Sequence, residues 1–332
     1  MKCHNKIQTE ILSVKLVNHK PVRIPVQCAY SGKKGPVLLL ISAQHGNEVQ
    51  GAEIIRRFMN MLQKRPFFGT VCAIPFANPL ALHERRPHAE MQPEQMYADD
   101  RGHNMNRKWP GKKNGNNTER IAYTLYQQVA SKATHVLDIH CWEQHVAPAV
   151  LINNIPELKN IAGKLGVRFV CVAKELKPEN GLDDYFCYIG KTGICYECSG
   201  QYTINEQQIQ MGLRVVINYA KLIGILPGPC LKPDYTPTLF STEVETVNVK
   251  TPVSGLFIPS QVSMCEFIKR NTLLGYVMSD TTLKVYNIPS PVSGYLRKYG
   301  AGRPNADVAL PGRHPYVEEG EAIAQLWKPI DK

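Results

Sequence analysis

No stretch of the chain approaches the roughly 18 consecutive apolar residues of a membrane-spanning helix, which excludes a helical membrane protein as the expectation. The opening residues, MKCHNKIQTEILSVKL, have no apolar core before a small-residue cleavage site, so no secretory signal is visible. Cysteine is scarce: ten in 332 residues is too few for a disulfide scaffold, and reduced thiols in a cytoplasmic protein are expected. No block of five basic residues occurs, nor any zinc-finger, homeodomain or ribonucleoprotein signature, so neither nucleic acid nor membrane is an expected partner. What is present is ordinary for a globular chain, with 43% hydrophobic and 20% charged residues. The length suggests one large unit with a smaller companion.

The charge has a direction. Residues 230–332 hold 11 basic and 10 acidic side chains, so ten of the net eleven positive charges fall in the first 229 residues. A basic surplus raises the local concentration of anions, small acidic substrates among them.

Alternation over residues 10–30 (Ile11, Val14, Leu16, then Val22, Ile24, Val26) has the period of half-exposed strands. PVLLLISA (36–43) is a near-continuous apolar run, as expected of a strand covered on both faces. A helical pattern follows over Val49–Leu62. Thr70–Phe76, Thr134–Ile139, Arg168–Ala173 and Thr192–Cys198 read as further buried strands. Thr118–Ser131, with Thr118 as N-cap, and Ile204–Ile223 read as helices between them. This alternation predicts an α/β fold, a mainly parallel mixed sheet flanked by helices. Ligand chemistry then belongs at the carboxyl ends of the strands.

After residue 225 the texture changes. Residues 226–245 include LPGPCLKPDYTPT and read as a linker or crossing segment. Residues 246–332 read as a smaller all-β domain with an internal repeat: Thr251-Pro-Val-Ser-Gly-Leu-Phe recurs as Ser290-Pro-Val-Ser-Gly-Tyr-Leu. Residues 1–225 would then be the catalytic domain.

Three stretches sit where buried strands end: His45-Gly46-Asn47-Glu48, Asp138-Ile139-His140 and Tyr196-Glu197-Cys198. Two imidazoles and a carboxylate converging there form a His₂Glu set. A catalytic zinc takes that many protein ligands and keeps one position open. Gly46 would let the backbone turn tightly enough for His45 and Glu48 to face one ion. Asp138, two residues before His140 on a strand, would share its face and could accept the imidazole N–H.

HGNE after a strand, AIPFANPLA, NMNRKWPG, DIHCW and YECSG together resemble the succinylglutamate desuccinylase/aspartoacylase family, of the zinc carboxypeptidase-like clan. The motifs run in family order over residues 36–200, and the repeated β region is similar to that family's second domain. The resemblance implies one zinc ion per chain, held by His45, Glu48 and His140. It makes Glu197 the general base that activates water and later protonates the leaving amine. Asn106 and Arg107 match the pair that holds the substrate carboxylate, a task for which a planar guanidinium suits. A further arginine polarises the scissile carbonyl; Arg85, Arg86 and Arg101 all lie in the right stretch, and Arg86 is preferred. The implied activity is zinc-dependent hydrolysis of the amide of an N-acyl amino acid or related small carboxylate. The alternatives are a metallocarboxypeptidase acting on a short peptide and a non-catalytic binding protein on the same fold.

Other features have simpler readings. Cys195-x-x-Cys198 has no second pair to complete a metal site, and Cys141 should point away from His140, so all three read as buried thiols. Lys112–Asn117 reads as a polar loop, and Tyr185, Tyr188 and Tyr202 as packing. Trp109 and Trp142 adjoin motif residues and are equally consistent with pocket walls. Lys269 and Lys284 lie between the β repeats but lack the context of a biotinyl or lipoyl lysine. The β domain remains compatible with partner binding, homo-oligomer formation or a wall that narrows the site.

Overall fold

The computed structural model describes residues 6–92, 100–179, 181–233, 235–301 and 314–328. A nine-stranded mixed sheet forms the larger layer. Its strands are β1 (Lys6–Val14), β2 (Val22–Tyr30), β3 (Val37–Ser42), β4 (Thr70–Ile74), β5 (His135–Trp142), β6 (Ala149–Asn153), β7 (Phe169–Ala173), β8 (Thr192–Ser199) and β9 (Thr238–Ser241), in spatial order β1-β2-β4-β3-β5-β8-β6-β7-β9. The pairings β3–β4, β3–β5, β5–β8, β6–β7 and β7–β9 are parallel, so the sheet is mostly parallel, with antiparallel pairing at the β1–β2–β4 edge and between β8 and β6.

Strand alternation sorts the apolar residues into two cores. Leu38 and Leu40 of β3 and Leu137, Ile139 and Cys141 of β5 pack beneath α1 (Gln50–Leu62), α4 (Pro156–Ala162) and α6 (Glu206–Leu222). Leu39, Ile41 and Val136 face the other way, onto α3 (Asn117–Gln128) and α5 (Leu182–Tyr188). Both faces are covered, which is why these strands read as continuous apolar runs. The remaining helix of this layer, α2 (Pro79–Glu84), is capped by Asn78, whose side chain accepts the Ala81 N–H.

Two local expectations change. The N-cap of α3 is Asn116 rather than Thr118: Asn116 and Glu119 cap one another's backbone N–H reciprocally, and Thr118 is buried. A carboxamide at N-cap with glutamate three residues on satisfies two orphan donors, which threonine two residues further in could not do. Second, Cys28 and Cys72 stand opposite each other on β2 and β4, with Cα atoms 4.2 Å apart, and form a disulfide, where reduced thiols were expected. Antiparallel register brings together two residues 44 apart in sequence, which spacing does not reveal. Seven further cysteines, Cys141, Cys195 and Cys198 among them, are free thiols.

The proline-rich segment is more than a connector, since it supplies β9 at the edge of the large sheet. Beyond it lie β10 (Thr246–Lys250), β11 (Gly255–Pro259), β12 (Phe267–Ile268), β13 (Leu273–Ser279), β14 (Val285–Pro289), β15 (Gly294–Tyr299), β16 (Tyr316–Val317) and β17 (Ala322–Trp327). They form two four-stranded antiparallel sheets, β10-β17-β15-β12 and β14-β13-β11-β16. Moving every strand to its counterpart in the other repeat converts one order into the other. The duplicated Pro-Val-Ser-Gly segments lead into β11 and β15, one in each sheet, so the sequence echo is a pseudo-twofold axis in space. No described helix is long and apolar enough to cross a membrane.

Candidate metal centre and active site

Three strand ends build the site. His45 and Glu48 lie in the loop between β3 and α1. Segment 77–87 braces that loop: Ala77 and Asn78 donate backbone N–H groups to the Ser42 and Ala43 carbonyls, and Gly46 N–H reaches the Pro87 carbonyl. Gly46 has a role that the sequence only half suggests. Positive φ falls at Ala43, whereas a Cβ on Gly46 would come within 2.0 Å of the Ala81 carbonyl oxygen and 2.5 Å of that of Arg86. Close backbone approach, rather than a left-handed turn, therefore demands glycine.

Asp138 and His140 share one face of β5. Parallel register sets His140 beside Glu197 on β8, with Cys195 beside Asp138. Cys141 and Cys198 point into the opposite core.

The polar groups converge on Glu48. Its Oε1 lies 2.9 Å from His45 Nδ1, and its Oε2 lies 2.9 Å from His140 Nδ1. The Cys141 backbone N–H donates to Oε2 at 3.0 Å, and Gln201 donates to Oε1 at 3.2 Å. All three residues are buried, with Glu48 only 3% exposed. Burial works to raise the Glu48 carboxyl, but the His45 charge and the hydrogen bonds from both imidazoles outweigh it and hold the group ionised. Burial likewise opposes charge on His140, yet Asp138 and Glu48 carry that imidazole above its ordinary range. The candidate ligand atoms of His45, Glu48 and His140 lie within 4.8 Å of one another. Two buried imidazoles turned onto one carboxylate are a donor set fitted to a divalent cation, zinc included.

Around this centre, each histidine is held from behind. His140 Nε2 lies 3.1 Å from Asp138 Oδ1. Gln44 donates to Asp138 Oδ2 at 2.6 Å, and Trp109 Nε1 donates to Gln44 at 2.7 Å. His45 Nε2 lies 3.1 Å from the Asn104 side-chain oxygen, which also accepts the Asn106 N–H. That bridge brings the short 3₁₀ turn Met105–Arg107 to the site. Asn106 Oδ1 accepts the Leu182 N–H, and exposed Arg107 lies near Asp184, where its charge opposes the rise that burial imposes on that carboxyl.

Glu197 differs from Glu48. Burial pushes its carboxyl well above the ordinary range, Glu48 and Asp138 push it further, and His140 and Arg297 oppose. Its Oε2 is buried with no hydrogen-bond partner among the described residues. Two carboxylates in one pocket are thus driven apart, one ionised among imidazoles and one ready to carry a proton.

Of the three candidate arginines, Arg86 is half-buried beside Gly46, with Nη1 donating to the Met91 carbonyl at 2.6 Å. Arg85 is an exposed left-handed cap of α2, and Arg101 is exposed with φ of 44°. The sequence reading passed over Gln44, Asn104 and Gln201. Each adjoins a quoted motif, and a search for polar groups flanking the ligands would have found them. Arg297, from the β domain, had no local signal.

The fold and this constellation define a carboxypeptidase-like α/β layer with a candidate metal centre at its strand ends, joined to a duplicated β domain. A model of the succinylglutamate desuccinylase/aspartoacylase catalytic domain matches residues 34–223, and the chain belongs to that family. The chain is 25% identical over 221 residues to N-alpha-acetyl-L-2,4-diaminobutyric acid deacetylase of Halomonas elongata; the match spans 64% of this chain and 62% of that relative. Its fold is similar to that of a succinylglutamate desuccinylase from Silicibacter sp. TM1040, with a TM-score of 0.73 at 18% identity over 98% of this chain and 95% of the other. An aspartoacylase family protein from Mesorhizobium loti gives a TM-score of 0.70 at 21% identity, covering 98% and 96% of the two chains. At such identities the likeness concerns the fold alone.

Proposed function

We propose that this protein is a zinc-dependent hydrolase, with one zinc ion per chain, that cleaves the amide bond of an N-acyl amino acid or a related small carboxylate. One observation carries the reading: His45, Glu48, His140 and Glu197 share the end of one sheet, with Glu48 ionised and Glu197 pushed toward the protonated form. Family membership and the deacetylase relative support the same reaction class.

A zinc ion bound by His45, Glu48 and His140 would supply Lewis acidity, polarising a carbonyl oxygen and bringing the pKa of water to about 7. The chain's own residues do the rest. Glu197 takes the proton from the attacking water and returns it to the amine nitrogen as the C–N bond breaks. Asp138 holds the His140 tautomer. Arg107, with Asn106, grips the substrate carboxylate through two parallel donors. Arg86 stabilises charge developing on the carbonyl oxygen, a contribution of about 3–4 kcal/mol for comparable donors. In domain terms, residues 1–225 form the catalytic unit, 226–245 cross between the layers, and 246–332 form the β domain.

The test is primary-amine release from a panel of N-acetyl and N-succinyl amino acids and short peptides, comparing zinc-loaded with chelator-stripped protein. Zinc-dependent release from an acyl amino acid is the expected result. Release from peptides alone would replace the reading with a carboxypeptidase one, and silence across the panel with zinc bound would overturn it.

A further inference from the structure

Arg297 lies on β15, in the β domain, yet is 5% exposed and packed between Trp142 of the larger layer and Trp327 of its own. Its guanidinium carbon sits 3.8 Å from the ring centre of Trp142 and 4.7 Å from that of Trp327, a cation clamped by two indoles. Trp142 follows His140 by two residues on β5 and ends the strand that carries the candidate ligand. Backbone pairing joins the layers here: Ala147 N–H donates to the Arg297 carbonyl at 2.8 Å, and Tyr299 N–H donates to the His145 carbonyl at 2.9 Å. The guanidinium itself donates from Nη1 to the Ala147 carbonyl at 3.2 Å.

For pure anchoring this is a costly choice. A buried guanidinium loses several kcal/mol of hydration, and such a charge is ordinarily offset by a bonded carboxylate. Among the described residues no carboxylate forms an ion pair with Arg297; the neighbouring lysine, Lys298, takes Glu143 at 3.8 Å. Instead, Nε of Arg297 is buried without a hydrogen-bond partner among the described residues. Two indole faces compensate part of that loss. A charge kept at that cost and stacked on Trp142, two residues beyond His140 on β5, indicates work at the strand end that carries the site.

We infer that Arg297 is a positioning residue of the catalytic centre, by which the β domain holds the end of β5, and through it His140 and its register neighbour Glu197, in working geometry through the Trp142–Arg297–Trp327 clamp. The inference rests on Glu197 acting as the base. It makes the β domain a part of the active site rather than an appendage.

The experiment compares Arg297→Met, Arg297→Lys, Arg297→Ala and Glu197→Gln in the full chain, on whichever substrate the wild-type protein turns over. Arg297→Met should lower kcat about 10- to 100-fold, in the range typical of partners that orient a metal site. KM should change little, and bound zinc, measured by mass spectrometry, should stay at the wild-type level. Added methylguanidinium should restore part of the Arg297→Ala activity where methylammonium does not. Arg297→Lys, which keeps the charge but not the planar stack, should fall between wild type and Arg297→Met. Wild-type kcat in Arg297→Met would overturn the inference. So would a parallel loss of kcat, zinc and thermal stability in both Met and Lys variants without guanidinium rescue, which is the signature of packing alone. Activity in Glu197→Gln above about a tenth of wild type, or an inactive wild-type protein, would overturn the underlying reading as well. An inactive Glu197→Gln beside a fully active Arg297→Met would sink only the role of Arg297.

Discussion

Asp138 and His140 stand two residues apart on one face of β5, and Oδ1 of the aspartate lies 3.1 Å from Nε2 of the imidazole, whose other nitrogen faces Glu48. In the proposed site that charge contact would leave Nδ1 for a metal. Gln44 donates to the other carboxylate oxygen and orients Asp138 from that side. Asp138→Asn keeps the volume but puts an amide N–H₂ against donors. Zinc affinity, measured by competition with a chelator, should fall about 10- to 100-fold. Unchanged affinity would remove Asp138 from the metal's support.

Glu197→Gln retains the shape of the pocket and removes the proton acceptor. Turnover should vanish within the assay while zinc remains bound at one equivalent, as read by metal analysis of the same sample. Residual turnover above about a tenth of wild type would mean that another group moves the proton, since a general base contributes about 10²–10⁴-fold.

Gly46→Ala places a methyl group 2.0 Å from the Ala81 carbonyl oxygen and 2.1 Å from its carbon, both of them backbone. Neither can rotate aside, so the loop carrying His45 and Glu48 must shift. Overpacking costs roughly 1–3 kcal/mol where side chains can give way, and backbone gives less. Thermal unfolding should show a lowered Tm, and zinc binding should weaken in the fraction that folds. A variant with wild-type Tm and affinity would show that the loop has room that the geometry denies.

Stability of the metal-free protein should carry a pH signature at Asp183. Burial raises its carboxyl well above the ordinary range, the Asp184 and Asp138 charges add to the rise, and His140 opposes. The unfolded chain releases that proton near pH 3.9, while the folded chain retains it to higher pH. Above about pH 3.9 the unfolded state is therefore favoured, increasingly so until the folded group also ionises. Asp183→Asn removes this penalty. Its gain in Tm over wild type should be largest at neutral and alkaline pH and should shrink to nothing in acid. A difference that is constant with pH would contradict the assignment.

Much of the architecture was legible because it is written in local periodicity. Leu38–Ile41 are apolar at every position, and Val136, Leu137 and Ile139 around Asp138, because both faces of their strands are covered. The Pro-Val-Ser-Gly echo announced a duplicated unit before any strand was paired. The helix boundary at Asn116 was less legible, because threonine and asparagine both cap and only the reciprocal bonds with Glu119 discriminate. The arginine stretch before Asn106 stayed open for a related reason: Arg85 and Arg86 are adjacent, and their opposite exposure follows from a left-handed cap that no spacing rule contains.

The sequence by itself determined the fold class, the strand-end positions of His45, Glu48, His140 and Glu197, and the shared face of Asp138 and His140. Each follows from a period of two or a turn of a few residues, interactions that decay within a few positions along the chain. Only the tertiary structure decided that Cys28 meets Cys72, that Gln44, Asn104 and Gln201 close around the candidate ligands, and that Arg297 of the β domain stacks on Trp142 at the end of β5. Those contacts depend on strand register and on the docking of two layers, whose energy is spread over many residues far apart in sequence.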